Sequence, residues 1–204
     1  DKKDGEILLL SEYGLDAQPF DTSGKSRVDW KDSTIRKWLN DDFYNSAFSE
    51  KEKENIVESK SEGFEEYNTS MNLTGGGKPY AYLEREIEDK VFLLSNTELC
   101  AYFSEDPYPG CYSDPYAHKE LLCYPTAYAK QQLETRYQTE TCGWWLCNHV
   151  YEDDSVELVS AYGQGSGTSR ENIKANTKSI AVRPAMWVTW QSDMEMVEAN
   201  QQVE

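Results

Sequence analysis

The stretch TCGWWLCNHVYEDD, residues 141 to 154, constrains the fold more than any other. Successive side chains of a strand alternate between its two faces, so Trp144 and Trp145 point opposite ways. Both indoles can be buried only where the strand is covered on both sides, which suits a central strand with helices on one face and loops on the other. The flanking Cys142 and Cys147 are five positions apart, point to opposite faces of such a strand and lie about 17 Å from each other. They cannot share one metal ion, and no C-x-x-C or H-x-x-x-H pair supplies further ligands.

A chain of 204 residues fits one domain with a tail and buries roughly two-thirds of the surface its unfolded form exposes. Thirty-seven acidic residues against 20 basic ones give a net charge of -17, a field that repels phosphate backbones and anionic headgroups. Nucleic acid is therefore not an expected partner. No run of about 20 apolar residues occurs, so no membrane insertion by this domain is expected. The sequence begins at Asp1 with no charged-then-apolar leader, so any targeting segment has been removed or lies outside it. Five cysteines allow at most two disulfides, and spacing alone does not pair them.

Asp4-Gly5 followed by the apolar run Ile7 to Leu10 reads as a turn feeding a strand, with the hairpin's first strand expected upstream. Ile35, Trp38, Leu39, Phe43, Ala47 and Phe48 recur at helical steps after the cap candidates Asp32 and Ser33, which makes Trp38 a core-facing residue. Ser49 and Glu52 form a capping box that opens a second helix through about Val57. Residues 59 to 89 read as a long loop, and its triplet Gly75-Gly76-Gly77 lacks the Lys-Ser/Thr of a phosphate cradle. A strand at Val91 to Leu94 turns into a helix through another capping box, Ser95 with Glu98. Residues 104 to 122 are turn-rich, TAYAKQQLETRY is a helix candidate, and strands follow at 144 to 146, 155 to 161 and 179 to 188.

Chemistry-bearing constellations are sparse. His149 is a conceivable base or ligand, and Glu152, Asp153 and Asp154 offer carboxylate oxygens, but no calcium-loop spacing surrounds them. Neither His118 nor His149 belongs to a nucleophile motif, so no catalytic residue, cofactor or metal site is expected. Glu98 is explained by its cap. Arg183, inside the apolar run IAVRPAMWV, needs a partner to offset its desolvation, and Glu98 or Asp89 is the expected one. Trp187 closes the same run as a structural residue.

Six segments in consistent order resemble a family of uncharacterised bacterial surface-protein and lipoprotein domains. They are ILLLSEYGLDAQPF (7 to 20), IRKWLNDDFYNSAFSEKEKENI (35 to 56), DKVFLLSNTELCAYF (89 to 103), CYPTAYA (123 to 129), CGWWLC (142 to 147) and AVRPAMW (181 to 187). The family pattern reads WWLRSP and VRPALW at the last two. The grammar is also similar to the C-type lectin-like fold in its formylglycine-generating-enzyme variant. That resemblance implies an α+β domain over residues 1 to 188, with a twisted, mostly antiparallel sheet, two main helices and much irregular loop. Residues 189 to 204 would then be a tail or linker. It also implies an extracellular or cell-surface location, a core role for the WWL strand and a ligand-facing loop after it. Cys123 and Cys142, which flank family motifs, are the first choice for a bridge, and Cys100 is expected as a buried thiol. Where relatives read WLRSP this chain has Leu146-Cys147-Asn148-His149, a departure that leaves room for retroelement-type diversification over residues 147 to 169.

The function expected from these readings is a non-enzymatic recognition module for an extracellular protein or glycan. Tyrosine offers large contact area at low entropy cost, and Asn, Ser and Gly offer adaptable hydrogen bonds. The candidate contacts are Asn148, His149, Tyr151, Asp153, Tyr162 and Arg170, with Tyr108, Tyr112 and Tyr116 on the neighbouring loop. The alternatives are a retroelement-diversified binder, a formylglycine-generating-type oxidase and a structural spacer.

Overall fold

In a computed structural model of the chain, the described residues are 2–3, 5–25, 28–60, 87–103, 119–134, 140–149, 155–163 and 173–190. The hairpin expected at Asp4-Gly5 is there: β1 (Lys2–Lys3) pairs antiparallel with β2 (Glu6–Leu10). Gly5, at φ 84°, supplies the left-handed backbone that the tight turn requires. The strand that pairs with β2 across this turn is the two-residue Lys2–Lys3.

After β3 (Tyr13–Gly14) comes α1 (Thr34–Trp38), which continues through a π-helical turn (Leu39–Phe43) into α2 (Tyr44–Ala47). Ser33 opens α1 by accepting from the Arg36 N–H. Trp38, Phe43 and Phe48 stack in series along this element, with ring centroids 5.3 and 6.0 Å apart, and all three are partly buried against the core. The capping box Ser49–Glu52 forms both of its reciprocal bonds and opens α3 (Glu50–Lys53). That helix stops four residues short of the expected Val57, because Ile56–Val57 is β4 and pairs with the last strand. An apolar pair that can join a sheet edge buries Ile56 better there than at the end of an otherwise exposed helical turn.

Val91 to Leu94 is buried and extended but contributes a single bridge, Phe92 with Ala185, instead of a strand. At its end the Leu94 carbonyl accepts from the Cys147 N–H, and at its start a side chain takes the backbone groups. Asn40, in the π-helical turn, accepts from the N–H groups of Lys90 and Val91 and donates to the Val91 carbonyl at 2.8 Å. The helix α4 (Asn96–Phe103) starts at the expected capping box: the Ser95 N–H donates to Glu98 Oε2 and the Glu98 N–H to Ser95 Oγ.

Three small sheets make up the regular β-structure of the described residues. An antiparallel sheet runs β1-β2-β8-β4, with β8 (Ala185–Thr189) in register Leu8↔Trp187 against β2. A two-stranded antiparallel pair joins β6 (Trp144–His149) to β7 (Val156–Val159), and a short parallel pair joins β3 to β5 (Tyr124–Pro125). The strand expected over 179 to 188 is split. Ala181 and Val182 make isolated bridges, and regular pairing resumes only after Pro184, which has no N–H to give to a ladder. Pairing then reaches Thr189, and the Trp190 N–H donates to the Gly5 carbonyl, so the ladder extends just past residue 188.

Trp144 and Trp145 are completely buried and use different partners, as alternation demands. The Trp144 indole N–H donates to the Leu121 carbonyl, and that of Trp145 to the Gln18 carbonyl. Trp145 meets Phe20 edge-on, whereas Trp144 carries the Arg183 guanidinium 4.9 Å from its ring centroid. Around them Phe20, Trp30, Ile35, Leu39, Val91 to Leu94, Leu99, Leu146, Val159 and Val182 form one continuous core, with Trp187 partly buried at its margin. The architecture is mixed α+β with short helices and small, mainly antiparallel sheets.

Candidate functional site

Two exposed tyrosines are chain neighbours of residues at a buried pair of sulfurs: Tyr13 precedes Gly14, and Tyr124 follows Cys123. The parallel ladder sets Tyr13 opposite Tyr124, and in a parallel pair such partners project to the same side. Tyr13 is 46 % and Tyr124 47 % exposed. Immediately after β5, Thr126 caps α5 (Ala127–Gln132) by accepting from the Ala129 N–H, and this helix carries Tyr128, 58 % exposed, in its first turn. The scaffold beneath is fixed by backbone bonds. The Thr126 N–H donates to the Gly14 carbonyl, the Thr126 hydroxyl to the Leu15 carbonyl, and the Leu15 N–H to the Val182 carbonyl. Tyr162, 57 % exposed, joins the same region through a chain of contacts: the Thr141 hydroxyl donates to the Ala161 carbonyl, and the Cys142 N–H to the Cys123 carbonyl beside Tyr124.

Gly14 makes this arrangement possible. A Cβ at that position would stand 2.8 Å from the Ala181 Cβ, 3.3 Å from the Cys142 sulfur and 3.4 Å from the Cys123 sulfur. Only a residue without a side chain lets the β3 backbone close over both sulfurs. Cys123 and Cys142 are both buried thiols, and the Cys142 Sγ lies 3.5 Å from the Cys123 carbonyl oxygen. The neighbouring Cys142 thiol holds the Cys123 thiol below its ordinary range, opposed by burial and aided by the Arg183 charge. The same proximity, together with burial, pushes the Cys142 thiol far up.

Arg183 is the one buried cation among the buried polar residues of the described chain. Its Nε–H donates to the Ser11 carbonyl at 2.7 Å, while its Nη1 is buried without a hydrogen-bond partner. Burial lowers its basicity, and the nearby Cys123, Cys142 and Glu12 act in the opposite sense. The expected carboxylate partner is thus corrected. Asp89 is committed elsewhere, accepting from Trp30 Nε1 at 2.7 Å and from Arg36 Nε at 2.6 Å, and Glu98 closes the Ser95 cap. Arg183 lies instead over an indole, beside two sulfurs and against a carbonyl.

Of the contacts expected from sequence, Tyr162 is exposed. Asn148 is corrected: β6 runs on through His149 rather than ending at Leu146, and Asn148 is fully buried within it. The backbone of His149 ends that strand, and its side chain lies outside the description, as does the side chain of Cys100. Tyr108, Tyr112, Tyr116, Tyr151, Asp153 and Arg170 lie outside the described residues, along with Cys111, the other acidic residues at 152 and 154, and the triplet at 75 to 77. Tyr13, Tyr124 and Tyr128 escaped the sequence reading. Tyr124 and Tyr128 sit four apart across a cap, a detectable signal, but nothing local ties Tyr13 to them across 111 positions of chain. Among the described residues no group of three or more His, Cys, Asp or Glu comes together to hold a metal ion, and no helix is long and apolar enough to cross a membrane.

A family model described as a domain of unknown function, DUF6273, matches residues 4–190. Comparison with curated proteins and with solved structures gives no match.

Proposed function

The chain belongs to the DUF6273 family of domains of unknown function, and from that premise we propose that it is a ligand-recognition module of a bacterial surface protein, built on a C-type lectin-like variant of the α+β plan. The observation that carries this reading is the pairing of Tyr13 with Tyr124, two half-exposed tyrosines held side by side on a ladder anchored to the core. Tyrosines whose backbones are already fixed lose little entropy when a ligand arrives, and their rings offer an apolar face with a polar tip. Tyr128 and Tyr162 extend the face. The ligand is an extracellular protein or a glycan that is not a polyanion, because a chain of net charge -17 repels polyanions.

An array of glycans and extracellular proteins probed with the purified chain identifies the ligand class. The triple variant Tyr13→Ser/Tyr124→Ser/Tyr128→Ser should then lose binding about tenfold or more, since exposed aromatic anchors removed together cost upwards of ~1.4 kcal/mol. Its melting temperature should stay within a few degrees of the parent. Undiminished binding by that variant sinks the tyrosine face as the site, and an array without any binding favours the spacer reading.

A further inference from the structure

We infer that Cys123 and Cys142 are a redox pair that closes into a disulfide by exchange with an external disulfide, tying the segment that carries Tyr124 to the tryptophan strand. Position carries the argument. The Cys142 N–H donates to the Cys123 carbonyl at 2.8 Å. A backbone bond of that length brings the two Cα atoms within reach of the window of about 4.4–6.8 Å that a disulfide requires. Both sulfurs also converge on one point, the empty Cβ position of Gly14, at 3.3 and 3.4 Å. The two sulfurs therefore flank one small volume, and closure calls for rotation about their Cα–Cβ and Cβ–S bonds rather than for large movement of backbone.

The surroundings favour the chemistry. Arg183 stands beside both sulfurs with a buried Nη1 that no hydrogen bond satisfies, a charge suited to a thiolate that attacks or departs. The third cysteine with a described side chain is directed elsewhere: Cys147 Sγ lies 3.8 Å from Asn148 Oδ1. In the reaction the Cys123 thiolate attacks one sulfur of a glutathione-type disulfide, forming a mixed disulfide and releasing one thiolate, which takes up a proton. Cys142 then gives up its proton and attacks the Cys123 sulfur, releasing the second thiol. Two protein thiols are oxidised and one external disulfide is reduced to two thiols. Because both sulfurs are buried, exchange takes place while the chain is folding, before β3 closes over them.

The test is to unfold the 204-residue chain, refold it in a glutathione buffer dominated by the oxidised form, alkylate remaining thiols and map the peptides. The expected product is a cross-linked peptide joining Cys123 to Cys142, lighter by one pair of hydrogens. It should melt roughly 6–12 °C above the same chain held in reductant, the shift appropriate to closing a loop of this length in a domain of this size. In Cys123→Ser the response of the melting temperature to reductant should vanish. Recovery of Cys123 and Cys142 in alkylated form, or either of them bridged to another cysteine, overturns the inference. So does a mapped bridge that leaves the melting temperature unchanged, since it would tie nothing. The mapping uses the unaltered chain, so a serine variant that fails to fold does not blunt it.

Discussion

Gly14 shows how one missing side chain organises a region. Its hydrogen lets Ala181 and both sulfurs close to within van der Waals reach of the strand, and a methyl group at 2.8 Å from the Ala181 Cβ would force backbone apart. Gly14→Ala should therefore destabilise the domain by about 1–3 kcal/mol, the usual cost of overpacking, as read from urea unfolding curves. At the tryptophans the expectation concerns orphaned carbonyls. Trp145→Phe keeps most of the ring but removes the donor that Gln18 relies on, and Trp144→Phe does the same to Leu121. Each should lose about 1–3 kcal/mol in the same measurement, and losses well below that range would mean that water reaches the abandoned oxygen. The sequence foretold both indoles as core because two adjacent tryptophans on a strand have nowhere else to go. It could not foretell Arg183, whose partners come from positions 11, 123, 142 and 144, chosen by the fold and not by proximity along the chain.

At the scale of elements, the capping boxes were legible because their chemistry is local, with Ser and Glu three residues apart bonding each other's backbone. The buried box at Ser95 and Glu98 should matter more than the exposed one at Ser49 and Glu52. Ser95→Ala leaves the Glu98 N–H unpaired in the interior and should cost about 1–2 kcal/mol, measured by thermal or urea melting. For Glu52 the signature is pH. Hydrogen bonds from Ser49 hold its carboxyl below the ordinary carboxylate range, so its contribution is present above the unfolded value and is lost as pH falls through the lower folded one. The amide signals of α3 should report fraying in that acidic window by NMR, and Ser49→Ala should move the Glu52 titration upward; an unmoved titration sinks the assignment. Element ends were less legible than element starts. Ile56 and Val57 could have prolonged a helix, and only β8, more than a hundred residues on, draws them into a sheet. Val91 to Leu94 has strand composition yet makes one bridge, because Asn40 reaches across from the π-helical turn and takes its backbone partners.

Across the whole molecule, the dominant long-range term is charge. A net charge of -17 on a compact chain is self-repulsive, and salt screens that repulsion over a Debye length of about 10 Å at 0.1 M. The melting temperature should rise as sodium chloride goes from about 10 mM to about 0.3 M, a range over which that length falls severalfold; a flat or falling curve would mean that paired charges such as Arg36 with Asp89 outweigh the repulsion. Six short segments in order led to the expectation of an uncharacterised domain family with mixed α+β character, and the family match over residues 4–190 and the short helices and small sheets agree with that much. What the sequence by itself determined was therefore the starts of the main helices, their caps and the burial of Trp144 and Trp145, all consequences of local chemistry and of helical and strand periodicity. What only the tertiary structure decided was the company those residues keep: Tyr13 beside Tyr124, two sulfurs over Gly14, Asn148 drawn inside and Arg183 set over an indole and against the Ser11 carbonyl. Such contacts join positions tens to more than a hundred residues apart, and the free energy that selects them belongs to the packed core as a unit, which no local pattern encodes.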